Sequence, residues 1–274
     1  MFPSSLIFLI LSLIVPGCSS AGLRGKSATG TSTNGNSTDQ TAGQGTPLPA
    51  LHNCQASDPI RLCGLSSLAP ELLTVDDLSN AQTLYGIRLT SQNKTEQSIQ
   101  DITLNASCLS ENSFVNGQWD RSVFQGSEMI LTEASRTSWR QARFVDSDLR
   151  LSHFAYANFS ELTVQNSCLA SSNWSASRFQ DVSIENSSAD QGNFSGITAQ
   201  GRFEFVRGRL AASNFSHAVF EGPVSFQDSD MRGVNLSAVT FKDTVNWQGA
   251  QLSGATWMDG RICAEGSVGQ CKIQ

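Results

Sequence analysis

The chain has 274 residues, a net charge of −6 and only 15% charged side chains. That balance excludes a basic face that reads nucleic-acid phosphates, so no nucleic-acid partner is expected.

The first element is an apolar run from Leu6 to Val15. It has the length of a signal-peptide core and is too short to span a bilayer. It ends in Val15-Pro16-Gly17-Cys18, which resembles a bacterial lipobox. The resemblance implies lipidation of Cys18, membrane attachment through the N-terminal lipid and, from Ser19 at the next position, an outer-membrane location facing the periplasm. Pro16 and the absence of Lys or Arg before the apolar run depart from that pattern. An ordinary secretory signal cut near Ala21 is the alternative. Residues 1–18 are thus read as signal and lipobox. Residues 19–52, rich in Ser, Thr, Gly, Asn and Gln, hold too few apolar side chains to order themselves and form a tether.

Residues 53–98 are expected to form an N-terminal cap with one short helix. Thr74 is a candidate N-cap and Gly86 lies near the helix end, while the alternation in Gly86–Thr90 predicts a strand.

From Ile99 onward an apolar residue recurs every fifth position, through Phe114, Trp119, Phe124, Met129 and on to Ala199. Neither a helix near 3.6 nor a strand near 2 has that period. A small residue precedes many centres by two, as at Ser122, Ala142, Ser147 and Ala157. Beyond Ala199 the frame slips by one residue before Phe205, Phe226 and Trp247. The late coils are therefore 21 residues long instead of 20, with the extra residue at one recurring corner, where a bulge can be absorbed.

The segments YANFS, LAASNFS and RGVNLS resemble the pentapeptide-repeat family. The resemblance implies a right-handed quadrilateral β-helix in which each five-residue unit is one side of a square coil. About eight coils are expected over 99–262, with 263–274 folding over the last as a C-terminal cap. In this register one side collects Ile99, Trp119, Trp139, Phe159, Phe179, Ala199, Phe220, Phe241 and Ile262. A second collects Leu104, Phe124, Phe144 and their successors. The third, from Leu109 and Met129 to Leu252, has no aromatic, and the fourth runs from Phe114 to Trp257. Uncovered coil edges would allow end-to-end pairing of rods.

Apart from Cys18 there are six cysteines, which in an exported chain favours disulfides. Cys54 with Cys63 and Cys263 with Cys271 would each close a small loop at one end of the rod. Cys108 and Cys168 fall three coils apart on one outer face, roughly 14 Å, beyond the ~7 Å limit for a bridge. Either one pairs with a cap cysteine or both are free thiols.

Asn-X-Ser triplets such as those at Asn158, Asn214 and Asn235 are generated by the repeat and are read as its by-product. His52, His153 and His217 have no spacing that forces a metal or catalytic cluster, and Arg136, Arg140, Arg143, Arg202, Arg207 and Arg209 lie among acidic neighbours. No enzyme, metal or cofactor is indicated. The expectation is a lipid-anchored structural or protein-interaction module of the cell envelope, its partner unknown. The alternative implied by the family is a DNA mimic that binds DNA gyrase. That reading needs a cytoplasmic, strongly acidic rod, whereas residues 99–262 hold 17 acidic against 12 basic side chains, a net of −5.

Overall fold

The computed structural model describes residues 73–75, 78, 80, 82–89 and 94–273. The signal, the tether, Cys18, His52, Cys54 and Cys63 lie outside them. The described residues form a four-sided parallel β-helix of about eight turns, built of short rungs and without a helix.

On side one Ile99 pairs beside Trp119, Trp119 beside Trp139, and Trp139 beside Phe159. Side two stacks Leu104, Phe124, Phe144, Val164 and Ile184 in the same parallel register. Sides three and four are joined by single bridges, Cys108 to Glu128 to Asp148 to Cys168 and Ser113 to Glu133 to His153 to Asn173. Each coil thus satisfies its backbone through the next, as in Glu128 N–H to the Ser107 carbonyl at 2.9 Å and Leu109 N–H to the Glu128 carbonyl at 2.7 Å.

The square is turned by residues held at positive φ two places after the centre, at every corner from Leu104 to Phe215 and again after Phe226, Met231, Leu236, Trp247 and Leu252, but not after Phe220 or Phe241. Leu131 (56°), Arg136 (57°) and Tyr156 (60°) are examples. At several corners the centre's carbonyl accepts the amide three residues on, as in Gly117 N–H to Phe114 at 2.9 Å. Positive φ at the third residue is what a type II turn requires. The repeat imposes this conformation on large side chains that ordinarily avoid it.

Centres from Ile99 to Leu236 are buried, those of the last coil at Phe241, Trp247 and Trp257 only partly so, and the aromatic ones form the stacks that the register predicts. Trp119 and Trp139 stack at 5.2 Å, Phe124 and Phe144 at 4.8 Å, and Phe194 and Phe215 at 4.8 Å with planes 6° apart. The indole N–H groups of Trp139 and Trp174 donate to the hydroxyls of Thr137 and Ser172, each at 2.6 Å. The small position two before the centre therefore also supplies the hydrogen bond that a buried indole needs. On side three Ser127, Ser147 and Ser167 continue this use. The Ser127 hydroxyl accepts Ser107 N–H at 3.2 Å and donates to the Leu104 carbonyl at 3.1 Å.

The extra residue of the late coils falls at the corner between sides one and two. Pairing steps from Gln180–Gln200 to Val182–Phe203, and the coils above it keep a constant offset, as in Thr198–Val219 and Val224–Val245. The first long coil carries a compensation that spacing alone did not reveal. Ala199 is the one small centre on side one, and the inward Phe203 occupies the space, with its ring 5.9 Å from Phe179 and 5.2 Å from Phe220.

Both ends differ from expectation. The cap helix is absent among the described residues: Thr74 lies in strand β1 (Leu73–Val75), and Gly86, at φ 58°, is the corner between β2 (Thr83–Tyr85) and β3 (Ile87–Leu89). β1 pairs with β3, and Leu84 of β2 stacks on Leu104, so coiling starts before Ile99. Lys94 at a centre position, its amide bonded to Ser113, hides this first coil from a search for apolar residues. At the other end Ile262 is not a rung of side one. It is 42% exposed and pairs antiparallel with Thr256. The chain reverses after Trp257, and Leu252, Gly254 and Trp257 donate their amides to Ser267, Cys263 and Arg261. This returning segment closes sides three and four of the last coil against further strand addition.

Candidate interaction surfaces

Side chains one place before and after each centre point outward, so the four faces are the surfaces available for chemistry. On side one, Asp101 pairs with Arg121 and Asp120 with Arg140, one coil apart. The Arg121 hydrogen bond holds the Asp101 carboxyl below the usual carboxylate range. Higher on the rod, Glu221 binds Lys242 at 2.7 Å and accepts from Gln200 at 3.2 Å. Exposed pairs of this kind contribute little stability; they keep the face charge-balanced.

Side two is interrupted by the bulged corner, and beside it lies an open groove of about 630 Å³ lined by Arg202, Glu204, Arg207, Pro223, Gln227 and Asn246 among others. Asp181 receives the Arg202 amide at 3.1 Å, Arg202 approaches Glu204 at 3.7 Å, and Arg207 pairs with Glu185. The basic clusters foreseen from sequence are thus largely ion-paired, which makes the groove amphoteric.

Side four explains the Asn-X-Ser triplets. The carboxamide oxygens of Asn173, Asn193, Asn214 and Asn235 accept the amides two residues on, at 3.0–3.1 Å, a local bond of the Asx type. His153 Nδ1 lies 3.5 Å from Glu133 on this face, and His217 sits at a corner at φ 59°. Among the described residues no group of three or more His, Cys, Asp or Glu could hold a metal ion.

Side three carries acid–base pairs of contrasting character. Burial pushes the Asp190 carboxyl up, although Arg209 lies at 2.5 Å and the Ala211 amide donates to it. Burial also raises Asp230, but there the side-chain and backbone hydrogen bonds from Arg232 prevail and the carboxyl lies below its ordinary value.

Cys263 and Cys271 are joined as expected, with Cα atoms 5.1 Å apart. Cys108 and Cys168 are not free thiols: both are disulfide-bonded. Three rungs, about 14 Å, separate them, so they are not bonded to each other. Cys18, Cys54 and Cys63 lie outside the described residues. The spacing along the repeat separates the two from each other but carries no information on whether either is bonded.

Four five-residue sides per coil, apolar centres stacked in register and left-handed residues at the corners define the rod as a four-sided parallel β-helix with a five-residue repeat. Residues 209–259 match the family model described as Pentapeptide repeats (9 copies), and the same coil geometry continues below them to Thr83. No curated protein matches the chain. Among solved structures the chain is similar to HetL, a pentapeptide repeat protein involved in heterocyst differentiation regulation from the cyanobacterium Nostoc sp. strain PCC 7120. The identity is 14% over 67% of this chain and 92% of that one, at a TM-score of 0.31. A trypsin-treated form of QnrB1, a plasmid-mediated fluoroquinolone resistance protein, matches at 17% identity over 63% and 90%, at a TM-score of 0.29. Rfr23 from the cyanobacterium Cyanothece 51142 matches at 16% over 38% and 63%, at 0.17.

Proposed function

We propose that the protein is an exported, lipid-anchored protein-interaction module of the bacterial cell envelope, whose rod presents its faces to a protein partner without catalysing a reaction. One observation carries the location: every cysteine among the described residues, Cys108, Cys168, Cys263 and Cys271, is disulfide-bonded. Structural disulfides persist in oxidising compartments and are rare in the cytosol. This supports the reading of Leu6–Val15 as a signal core and of Cys18 as the acylated residue. The same observation weighs against a cytoplasmic DNA mimic, as does the charge pairing on sides one and two. A partner on these faces meets flat, charge-balanced rows and one amphoteric groove, chemistry that suits a polar protein surface.

Cys18→Ser should move the protein from the membrane to the soluble fraction, because the mature lipoprotein holds the bilayer through more than one chain. Metabolic labelling with a fatty acid should mark the wild type and not the variant. A wild type that stays unlabelled and soluble would refute the anchor. Crosslinking in intact envelopes, with residues of the side-two groove as attachment points, then tests for the partner.

A further inference from the structure

The outward face of side four changes character at the coil of Trp174. Below it the face carries Glu133 and His153, 3.5 Å apart. From Trp174 upward four successive coils repeat Asn-X-Ser, and residues 171–176, 191–196, 212–217 and 233–238 contain no Asp, Glu, Lys or Arg. Over the same coils each of the other sides is charged, with Arg178 and Glu221 on side one, Glu185 and Glu204 on side two, and Asp190 and Arg209 on side three. Charge is thus missing from one face only.

The face contains its own control for what asparagine does there. In the coil of Ala134 the Glu133 carboxylate accepts both the Ser135 amide, at 3.0 Å, and the Ser135 hydroxyl. Asn at the same position accepts only the amide, at 3.0–3.1 Å. The hydroxyls of Ser175, Ser195, Ser216 and Ser237 are therefore left without a protein partner, and so are the carboxamide nitrogens of Asn173, Asn214 and Asn235. The Asn193 nitrogen donates to the Asn173 oxygen at 3.2 Å and keeps its second N–H. Among the described residues Ser188 Oγ is the one buried side-chain polar atom without a partner, so the unpaired groups of side four reach solvent.

We propose that this face binds a linear, uncharged glycan of N-acetylated sugars, laid along the rod axis. Coils rise ~4.8 Å and residues two apart in a strand lie ~6.6 Å apart, so the four Asn-X-Ser units form a flat array of about 7 by 14 Å. Carboxamide donors fill one column and hydroxyls the other. The asparagine oxygens are taken by backbone amides, which leaves a surface rich in donors. It fits a neutral ligand rich in acceptors, and acetamido carbonyls beside sugar hydroxyls supply them. A charged polymer would lose hydration on this face without meeting a counter-charge. The Asx bonds fix the carboxamides before the ligand arrives, so few side-chain rotamers are lost on binding. Small residues at the flanking corners, Ala176, Gly196, Ala212 and Gly233, leave the array open on both sides. Tyr156, 60% exposed at the corner one coil below, adds an aromatic surface for the apolar face of a sugar ring.

The glycan is a ligand additional to the protein partner, which meets the charge-balanced rows of sides one and two and the groove beside the bulged corner. Sides two and four are opposite faces of the square, so one rod can hold a glycan and a protein at once.

The test does not depend on the envelope reading, because it uses purified full-length chain with no protein partner present. Calorimetric titration with N-acetylchitohexaose should show saturable binding that is unchanged as salt rises, since no ion pair contributes. No binding, or binding that salt weakens, overturns the proposal. In N193D/N214D each carboxylate keeps the amide bond and takes up the serine hydroxyl as Glu133 does, so the fold persists while affinity falls about tenfold or more. S195A/S216A, which deletes only hydroxyls, should weaken binding severalfold. Urea midpoints close to wild type confirm that both variants are folded, and wild-type affinity in either one overturns the assignment to side four.

Discussion

The exchange of volume between Ala199 and Phe203 allows a quantitative test of how this core is built. Neighbouring coils place Phe179 or Phe220 at the side-one centre with Val182 or Val224 at the inward position of side two, whereas this coil reverses the sizes. Phe203→Val removes four buried carbons, which at ~0.8 kcal/mol each is a loss of about 3 kcal/mol before any cavity term. Ala199→Phe alone drives a second ring into the space that Phe203 fills between Phe179 and Phe220, an overpacking cost of about 1–3 kcal/mol. The double variant recreates the arrangement of the coils on either side and should return to within about 1 kcal/mol of wild type, a coupling well beyond that of independent sites. Urea denaturation followed by tryptophan fluorescence, with disulfides intact, measures all four proteins. If the double variant loses the sum of the single losses, the two residues do not share one volume and the account of the bulged coil is wrong.

The bulged corner is also where glycine is needed for approach. A Cβ on Gly222 would sit 2.0 Å from the Gly201 carbonyl oxygen, whereas Gly126, at φ 58°, has nothing within 4 Å. Gly126→Ala should therefore cost only the left-handed penalty of about 1–2 kcal/mol, and Gly222→Ala clearly more, read from the same urea midpoints; equal costs would show that the corner backbone yields freely. Acid should weaken the rod in part through Asp230, whose folded-state pKa is depressed by Arg232 against the effect of burial. A depressed carboxylate contributes stability above its unfolded pKa and loses it as pH falls through the folded value. The loss between neutral pH and pH 3 should thus be smaller in Asp230→Asn than in wild type, and an unchanged slope would dissociate that carboxyl from folding.

Much of the architecture was legible in the chain because a parallel coil converts sequence period directly into spatial neighbours. Once Trp119 and Trp139 are assigned to one side, twenty residues apart, their stacking follows, and so does the aliphatic column from Leu109 to Leu252. The recurrent extra residue located the bulged corner for the same reason: an insertion that shifted any other side would have broken those columns.

The tertiary structure alone decided what depends on a residue's surroundings. Lys94 stands at a centre of the first coil and Thr74 in its strand, although composition there points to a cap. Ile262 keeps the five-residue phase yet turns back, because the last coil's amides are satisfied by the returning chain. Leu131 and Tyr156 adopt positive φ that neither would choose alone, since the inter-coil hydrogen bonds of every side hold the corners closed. The state of Cys108 and Cys168 and the burial of Arg150 were hidden for the deepest reason. A repeat specifies what stacks above and below each residue, but bonding and shielding across an outer face are encoded by no period.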